Sequence, residues 1–111
     1  MAGSLDATFT ATVAVSGTTS GAINLQGFAP CGLYFPATTD GTTVTFQASA
    51  DGTTYYPIYG TDGNQISYTI AASRYVPLDP SVFAGVAFLK LVLGTQSTTA
   101  TVVGIGARRL G

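Results

Sequence analysis

The chain has no histidine, no tryptophan and no glutamate, a single cysteine and a single lysine, and only 8% of its 111 residues carry charge. Each absence removes a class of function. Without histidine there is no side chain that titrates near neutral pH in its ordinary state, and the Ser-His-Asp and Cys-His arrangements cannot be built. A paired-carboxylate site must draw on Asp6, Asp40, Asp51, Asp62 and Asp79, and four of these precede Gly or Pro in turn contexts. The expectation is a protein that is not an enzyme and carries no cofactor.

Cys31 has no second cysteine to pair with, which excludes an intramolecular disulfide and a thiolate metal site. In Phe28-Ala29-Pro30-Cys31-Gly32 it reads as a small buried hydrophobe. A net charge of −1 supplies no basic stripe for phosphates, so nucleic acid is not an expected partner. It also leaves little repulsion between copies, which suits a subunit of an assembly. Nor is a membrane expected. The apolar stretch from Ala84 to Gly94 is about half a span and contains Lys90, and Met1–Asp6 has neither a basic nor an apolar leader region. A soluble product made in the cytoplasm follows from this reading.

Threonine, serine and glycine take the place of charge, and threonine's β-branch suits a pleated sheet. Asp40-Gly41, Asp51-Gly52 and Asp62-Gly63 stand eleven residues apart. Asp-Gly favours tight turns, because glycine takes positive φ and aspartate bonds nearby backbone N–H groups. Turns at that interval predict an antiparallel meander with all three aspartates at hairpin tips. Asp40 and Asp62 would lie at one end of a sheet and Asp51 at the other.

Alternation predicts strands on either side of this meander. Phe9, Ala11, Val13 and Val15 face inward in the first strand, and Ile23 and Leu25 in the second, while Leu33-Tyr34-Phe35 makes a third. Within the meander Val44, Phe46 and Ala48 share one face, Tyr56 and Ile58 form the next inward pair, and Ile66, Tyr68 and Ile70 follow. Pro57 lacks a ladder donor and marks an edge or a bulge. Arg74–Leu78 is a short strand. Asp79-Pro80 with Gly85 beyond reads as one helical turn that presses Val82 or Phe83 into the core. The nearly continuous apolar run Val86–Leu93 is a central strand whose Lys90 must reach solvent along its alkyl stem, and Thr99–Ala107 is the last strand. The fold class expected is all-β, a single antiparallel β-sandwich, jelly-roll-like, of about eight or nine short strands. Residues 1–8 form a candidate N-terminal arm and residues 9–111 the sandwich domain.

Each Asp-Gly turn offers one carboxylate, fewer than a calcium loop gathers, so plain hairpin corners are favoured over a shared metal site. Tyr55, Tyr56, Tyr59, Tyr68 and Tyr75 concentrate in one part of the chain. Because Tyr55 and Tyr56 alternate faces, at most about half of this set can be exposed on one side, and covering the ends of the core is favoured over a binding platform. Tyr55, Tyr59, Arg108 and Arg109 are the candidate interaction residues. The arginines either bridge to an acidic neighbour or form a solvated tail.

The segment Thr45-Phe46-Gln47-Ala48-Ser49-Ala50-Asp51-Gly52-Thr53-Thr54-Tyr55-Tyr56-Pro57 resembles a hairpin found in sandwich domains of phage virion proteins and in discoidin-like carbohydrate-binding modules. Two further runs, Gly32–Ala37 and Arg74–Val92, resemble small β-sandwich structural proteins of tailed bacteriophages, of the head-decoration or auxiliary-capsid type. Together the likeness extends over about residues 21 to 110. It implies a virion protein on the capsid surface that binds the major capsid protein, forms homo-oligomers and stabilises the shell. The alternative is a receptor- or carbohydrate-binding module of a phage tail or head fibre. Discoidin-like modules are longer and carry buried tryptophans, which this chain lacks.

Overall fold

The computed structural model describes residues 7–97 and 99–109. Among the described residues there are nine strands: β1 Ala7–Val13, β2 Ile23–Asn24, β3 Phe28–Phe35, β4 Thr43–Ser49, β5 Tyr56–Pro57, β6 Ser67–Thr69, β7 Arg74–Pro77, β8 Phe88–Val92 and β9 Thr101–Arg109. They form two sheets in which every pairing is antiparallel. Sheet A has the order β1-β9-β3-β7; sheet B has β2-β8-β4, with β5 and β6 both on the remaining side of β4. The all-β expectation and the strand number are thus met. Ala7 and Thr8, assigned to the arm, already pair with Ala107 and Gly106; the rest of the arm lies outside the described residues.

The inward faces of both sheets supply one apolar cluster, to which sheet A gives Leu33, Val103 and Ile105 and sheet B gives Phe46, Leu89 and Leu91. Burying each of these side chains is worth about 1.5–3 kcal/mol. As the apolar run predicts, β8 is central, between β2 and β4. Pro57 lies on an edge, where its missing N–H costs no ladder bond. The helical turn is a 3₁₀ turn over Pro80–Phe83; Asp79 caps it by accepting from the Ser81 N–H, and Phe83 is buried. Phe83 packs edge-on against Phe46 with 5.0 Å between ring centroids.

The expected meander does not form. β3 and β4 belong to different sheets, so Asp40-Gly41 is a corner between sheets and not a hairpin tip. The turn at Asp51 does join a paired hairpin, β4 to β5. Asp62 caps a small local hairpin closed by the Tyr59–Gln65 bridge and by Ile66 N–H donating to Ile58 C=O at 2.9 Å. That hairpin does not reverse the edge strand. β5 and β6 run in the same direction along β4, with Pro57 opposite Gln47 and Ser67 opposite Thr45. The chain between them loops out from the middle of the sheet edge, so Asp62 is not at the sheet end expected. All three glycines have positive φ, as the dipeptides require. The dipeptide dictates the local turn; the strand that pairs beyond it is decided by where apolar faces meet.

Three smaller expectations are also corrected. Val15 is exposed, because β1 ends at Val13. Tyr56 is 66% exposed despite its inward register, since β5 has only two residues and no neighbour on its outer side. Cys31 is half-buried at a register shift in β3, where its Sγ lies 3.5 Å from the Gly106 carbonyl oxygen.

The inter-sheet corner is held by Gln96, which is fully buried. Its side chain accepts from Asp40 N–H at 2.9 Å and donates to the carbonyls of Asp40 at 2.9 Å and Gly94 at 2.8 Å. Its backbone C=O accepts from Ser16 N–H and its N–H donates to Gly17 C=O. One residue therefore ties together three connections, between β1 and β2, β3 and β4, and β8 and β9.

Candidate functional site

Two surfaces have the composition of a recognition site. The first is the outer face of sheet A. Period-two alternation that buries Leu33 and Phe35 turns Tyr34 outward, and pairing with β7 sets Tyr75 directly opposite it. The rings are 4.7 Å apart between centroids and tilted by 47°. Glycines form the floor beneath them. A Cβ on Gly32 would collide with the hydroxyl end of Tyr75, and one on Gly104 would touch Tyr34. Continuing the rung outward, Thr10 lies across from Gly104, and the next rung pairs Thr12 with Val102.

Tyr34, Tyr75 and Val102 are each about half exposed, at 50%, 48% and 50%. With the exposed Thr8, Thr10 and Thr12 they make a hydroxyl-rich, weakly charged face. Arg74 and Arg108 lie at its margins, at one end of β7 and near the end of β9. The phenol of Tyr75 is pushed above its ordinary value of 10.0, by burial first and then by neighbouring Tyr34 and Cys31. It stays neutral at physiological pH.

The second surface is a recess of about 510 Å³ at the edge of sheet B, between the Asp62 hairpin and the 3₁₀ turn. Ile58, Ile66 and Val82 give it apolar walls, and Tyr59, Asp62 and Asp79 give it an aromatic ring and two carboxylates. Both acids are fixed by local bonds. Asp62 accepts from the Asn64 N–H at 3.0 Å and from its side-chain amide at 3.3 Å; these bonds, the backbone one first, lower its pKa. Asp79 accepts from the Ser81 N–H at 3.1 Å and hydroxyl at 2.8 Å. The hairpin is closely packed at Gly60, where a Cβ would stand 3.1 Å from an Asp62 carboxylate oxygen and 3.2 Å from the Ile66 side chain.

The four candidate interaction residues do not converge. Tyr55 is half-buried on the outer face of sheet B under the Lys90 ammonium, which sits 4.3 Å from the ring centroid. Its hydroxyl is buried with no hydrogen-bond partner among the described residues. Tyr55 is therefore a packing residue for Lys90 and no exposed platform. Tyr59 is 58% exposed and lines the recess. Arg108 and Arg109 end β9 in the other sheet, where the Arg109 guanidinium covers the Phe28 ring at 4.9 Å. Tyr34 was not among the expected site residues. Alternation alone turns it outward, but its pairing with Tyr75 depends on the long-range β3–β7 ladder.

The Asp51 turn is a structural device. Its carboxylate accepts from the Thr53 N–H at 2.8 Å, the Thr54 N–H at 3.0 Å and the Ser49 hydroxyl at 2.9 Å. Gly52 is set against the Phe88 ring. The backbone bond from Thr54, then that from Thr53, then the Ser49 hydroxyl hold the Asp51 pKa down to about 2, from 3.8. A depressed folded-state pKa means that this stabilisation is complete above 3.8 and is lost as pH falls toward 2. A carboxyl-carbon NMR titration should give Asp51 a midpoint near 2, and Asp51→Asn should remove that step from the acid-unfolding curve.

Among the described residues, no three His, Cys, Asp or Glu side chains gather as a metal site would require, and no helix is long and apolar enough to cross a membrane. Comparison with protein-family models, curated proteins and solved structures returned no match.

Proposed function

We propose that the chain is a virion structural protein, a decoration or cement protein that binds the major capsid protein shell of a tailed bacteriophage and sits on the capsid surface as a homo-oligomer. The observation that carries this reading is the outer face of sheet A. There the half-exposed Tyr34–Tyr75 pair lies over glycines beside a row of threonines. Interface cores are depleted in charge and enriched in tyrosine, and this face has that composition.

The strand orders support the reading through fold type. With β5 and β6 counted as one interrupted edge strand, each sheet has four positions, and the chain passes between sheets at most connections. We read this as a jelly-roll sandwich, an architecture that recurs in capsid proteins. Its rigid, paired sheet offers a preorganised docking face with little ordering to pay on binding.

The mechanism is linkage. A protein that binds the assembled shell and not its separated subunits stabilises the shell by about 2.7 kcal/mol per site at a free concentration a hundred times Kd. Cosedimentation with expanded capsid shells tests it. The wild-type chain should pellet with the shells, and Tyr34→Ala/Tyr75→Ala should weaken binding about 10–100-fold with folding retained. A chain that remains monomeric and stays in the supernatant overturns the proposal. A second reading, a receptor- or carbohydrate-binding module, is favoured by one observation, the recess beside Tyr59.

A further inference from the structure

We propose that this recess is a binding site for a pyranose ring of a neutral glycan, with the sugar's C–H face against Tyr59 and its hydroxyls donating to Asp62 and Asp79. The inference rests on the second reading and names the site and ligand class for it.

Four features select this ligand. The volume of about 510 Å³ lies within the range of small-molecule pockets and is generous for one or two sugar rings. The exposed ring of Tyr59 and the apolar walls of Ile58, Ile66 and Val82 suit a ligand with a C–H face. The side-chain oxygens of Asp62 and Asp79 are hydrogen-bond acceptors, so they call for a donor-rich ligand, as a polyol is. The bonds from Asn64, the backbone one first, hold the Asp62 pKa below its already acidic ordinary value, and hydrogen bonds to an ionised carboxylate are the stronger kind. Both acids are already held in place, Asp62 by Asn64 and Asp79 by Ser81. Little side-chain entropy is then lost when a ligand arrives.

Other ligands fit less well. Two carboxylates fall short of the six to eight oxygens that calcium takes. An anionic sugar or a phosphate would be repelled by both acids. A lone guanidinium would satisfy the acids but leave most of the volume and the apolar walls unfilled.

The placement of the recess also suits recognition. It is formed by a hairpin that loops out of a sheet edge and by the 3₁₀ turn, and neither contributes to the outer face of sheet A. Docking through sheet A therefore leaves it open. A protein seated on a shell by one face can present the recess outward.

The test uses the full chain and a panel of methyl glycosides of glucose, mannose, galactose and N-acetylglucosamine, followed by ¹⁵N-resolved NMR. At least one should bind with millimolar affinity and shift the Gly60, Asp62, Asn64 and Ser81 amides. Tyr59→Ala should weaken it about tenfold, and Asp62→Asn and Asp79→Asn by a similar factor. Asparagine keeps both the turn and the cap, so these variants should fold. Binding that shifts other residues and survives Tyr59→Ala overturns this site while leaving carbohydrate recognition standing. No binding by any glycoside at tens of millimolar overturns both. If calcium chloride or arginine methyl ester shifts these amides and no glycoside does, the ligand assignment is overturned. Neither of the last two outcomes touches capsid docking, which is read by the Tyr34 and Tyr75 variants.

Discussion

Replacing Gln96 with leucine should destabilise the protein by about 3 kcal/mol, although the two side chains have nearly the same volume. Gln96 is fully buried, and its amide has three backbone partners: the N–H and C=O of Asp40 and the C=O of Gly94. Leucine fills the space and leaves those three groups unpaired, at roughly 1 kcal/mol each where they are partly screened from water. For a domain of this size the melting temperature should fall by roughly 10 °C. The control is Ser97→Ala. It removes one exposed bond, from the Ser97 hydroxyl to the Asp40 carboxylate, keeps the one from the Ser97 N–H, and should cost less than about 1 kcal/mol. Thermal unfolding of the pair decides the matter. Equal, small losses would mean that the corner between β3 and β4 is held by its apolar neighbours and not by the amide.

Gln96 also shows where sequence reasoning reaches its limit. It lies between the two runs read as the last strands, Val86–Leu93 and Thr99–Ala107, and nothing local distinguishes it from an exposed glutamine. Its importance comes from three connections meeting at one point, which only the tertiary structure specifies. Features with a local cause were legible. The Asp79-Pro80 start and Phe83 anchor of the 3₁₀ turn follow from capping chemistry, and the buried faces of β1, β4, β8 and the Leu33-Tyr34-Phe35 end of β3 follow from alternation or from a continuous apolar run. The earlier part of β3, with Pro30 and Gly32, carries no such pattern. Pairing was legible where a turn joins neighbours, as at Asp51, and misjudged where the chain changes sheets, as at Asp40. The site residues divide in the same way. Asp62 and Asp79 each carry a clear local signal, one as a turn residue and one as a cap, and those signals account for each residue alone. That they share a recess with Tyr59 depends on the interrupted edge strand, whose two halves keep one direction along β4. Tyr55 had the same signal as Tyr59 and a different fate, because Lys90 on β8 lies over its ring.

The three Asp-Gly turns are alike in sequence and should respond very differently to the same substitution, glycine to alanine. At Gly63 the backbone has φ of +87° and nothing lies within 4 Å of the added carbon. The expected loss there is the conformational cost alone, about 1–2 kcal/mol. At Gly52, with φ of +80°, the methyl would meet the Phe88 ring at 3.3 Å. A half-buried ring can give by a few tenths of an ångström, so the loss should be only slightly larger. At Gly41, with φ of +106°, the methyl would stand 2.7 Å from the Gly94 nitrogen and 3.1 Å from its Cα. Both atoms are backbone, and Gly94 is itself pinned through its carbonyl by Gln96. Moving them adds about 1–3 kcal/mol of overpacking to the conformational cost, about 2–5 kcal/mol in all. That is a large part of the 5–15 kcal/mol that holds a domain folded. Urea denaturation of the three variants should rank them Gly63, Gly52, Gly41 by falling midpoint, with similar m-values. Equal midpoints would show that the corner at Asp40 is not pressed against Gly94, and the account of Gln96 as its clip would fall with it. The ranking also separates stability from recognition. Gly63→Ala acts beside the recess and can alter glycoside affinity while costing little stability. Gly41→Ala acts far along the chain from it and should leave affinity unchanged wherever the variant is folded.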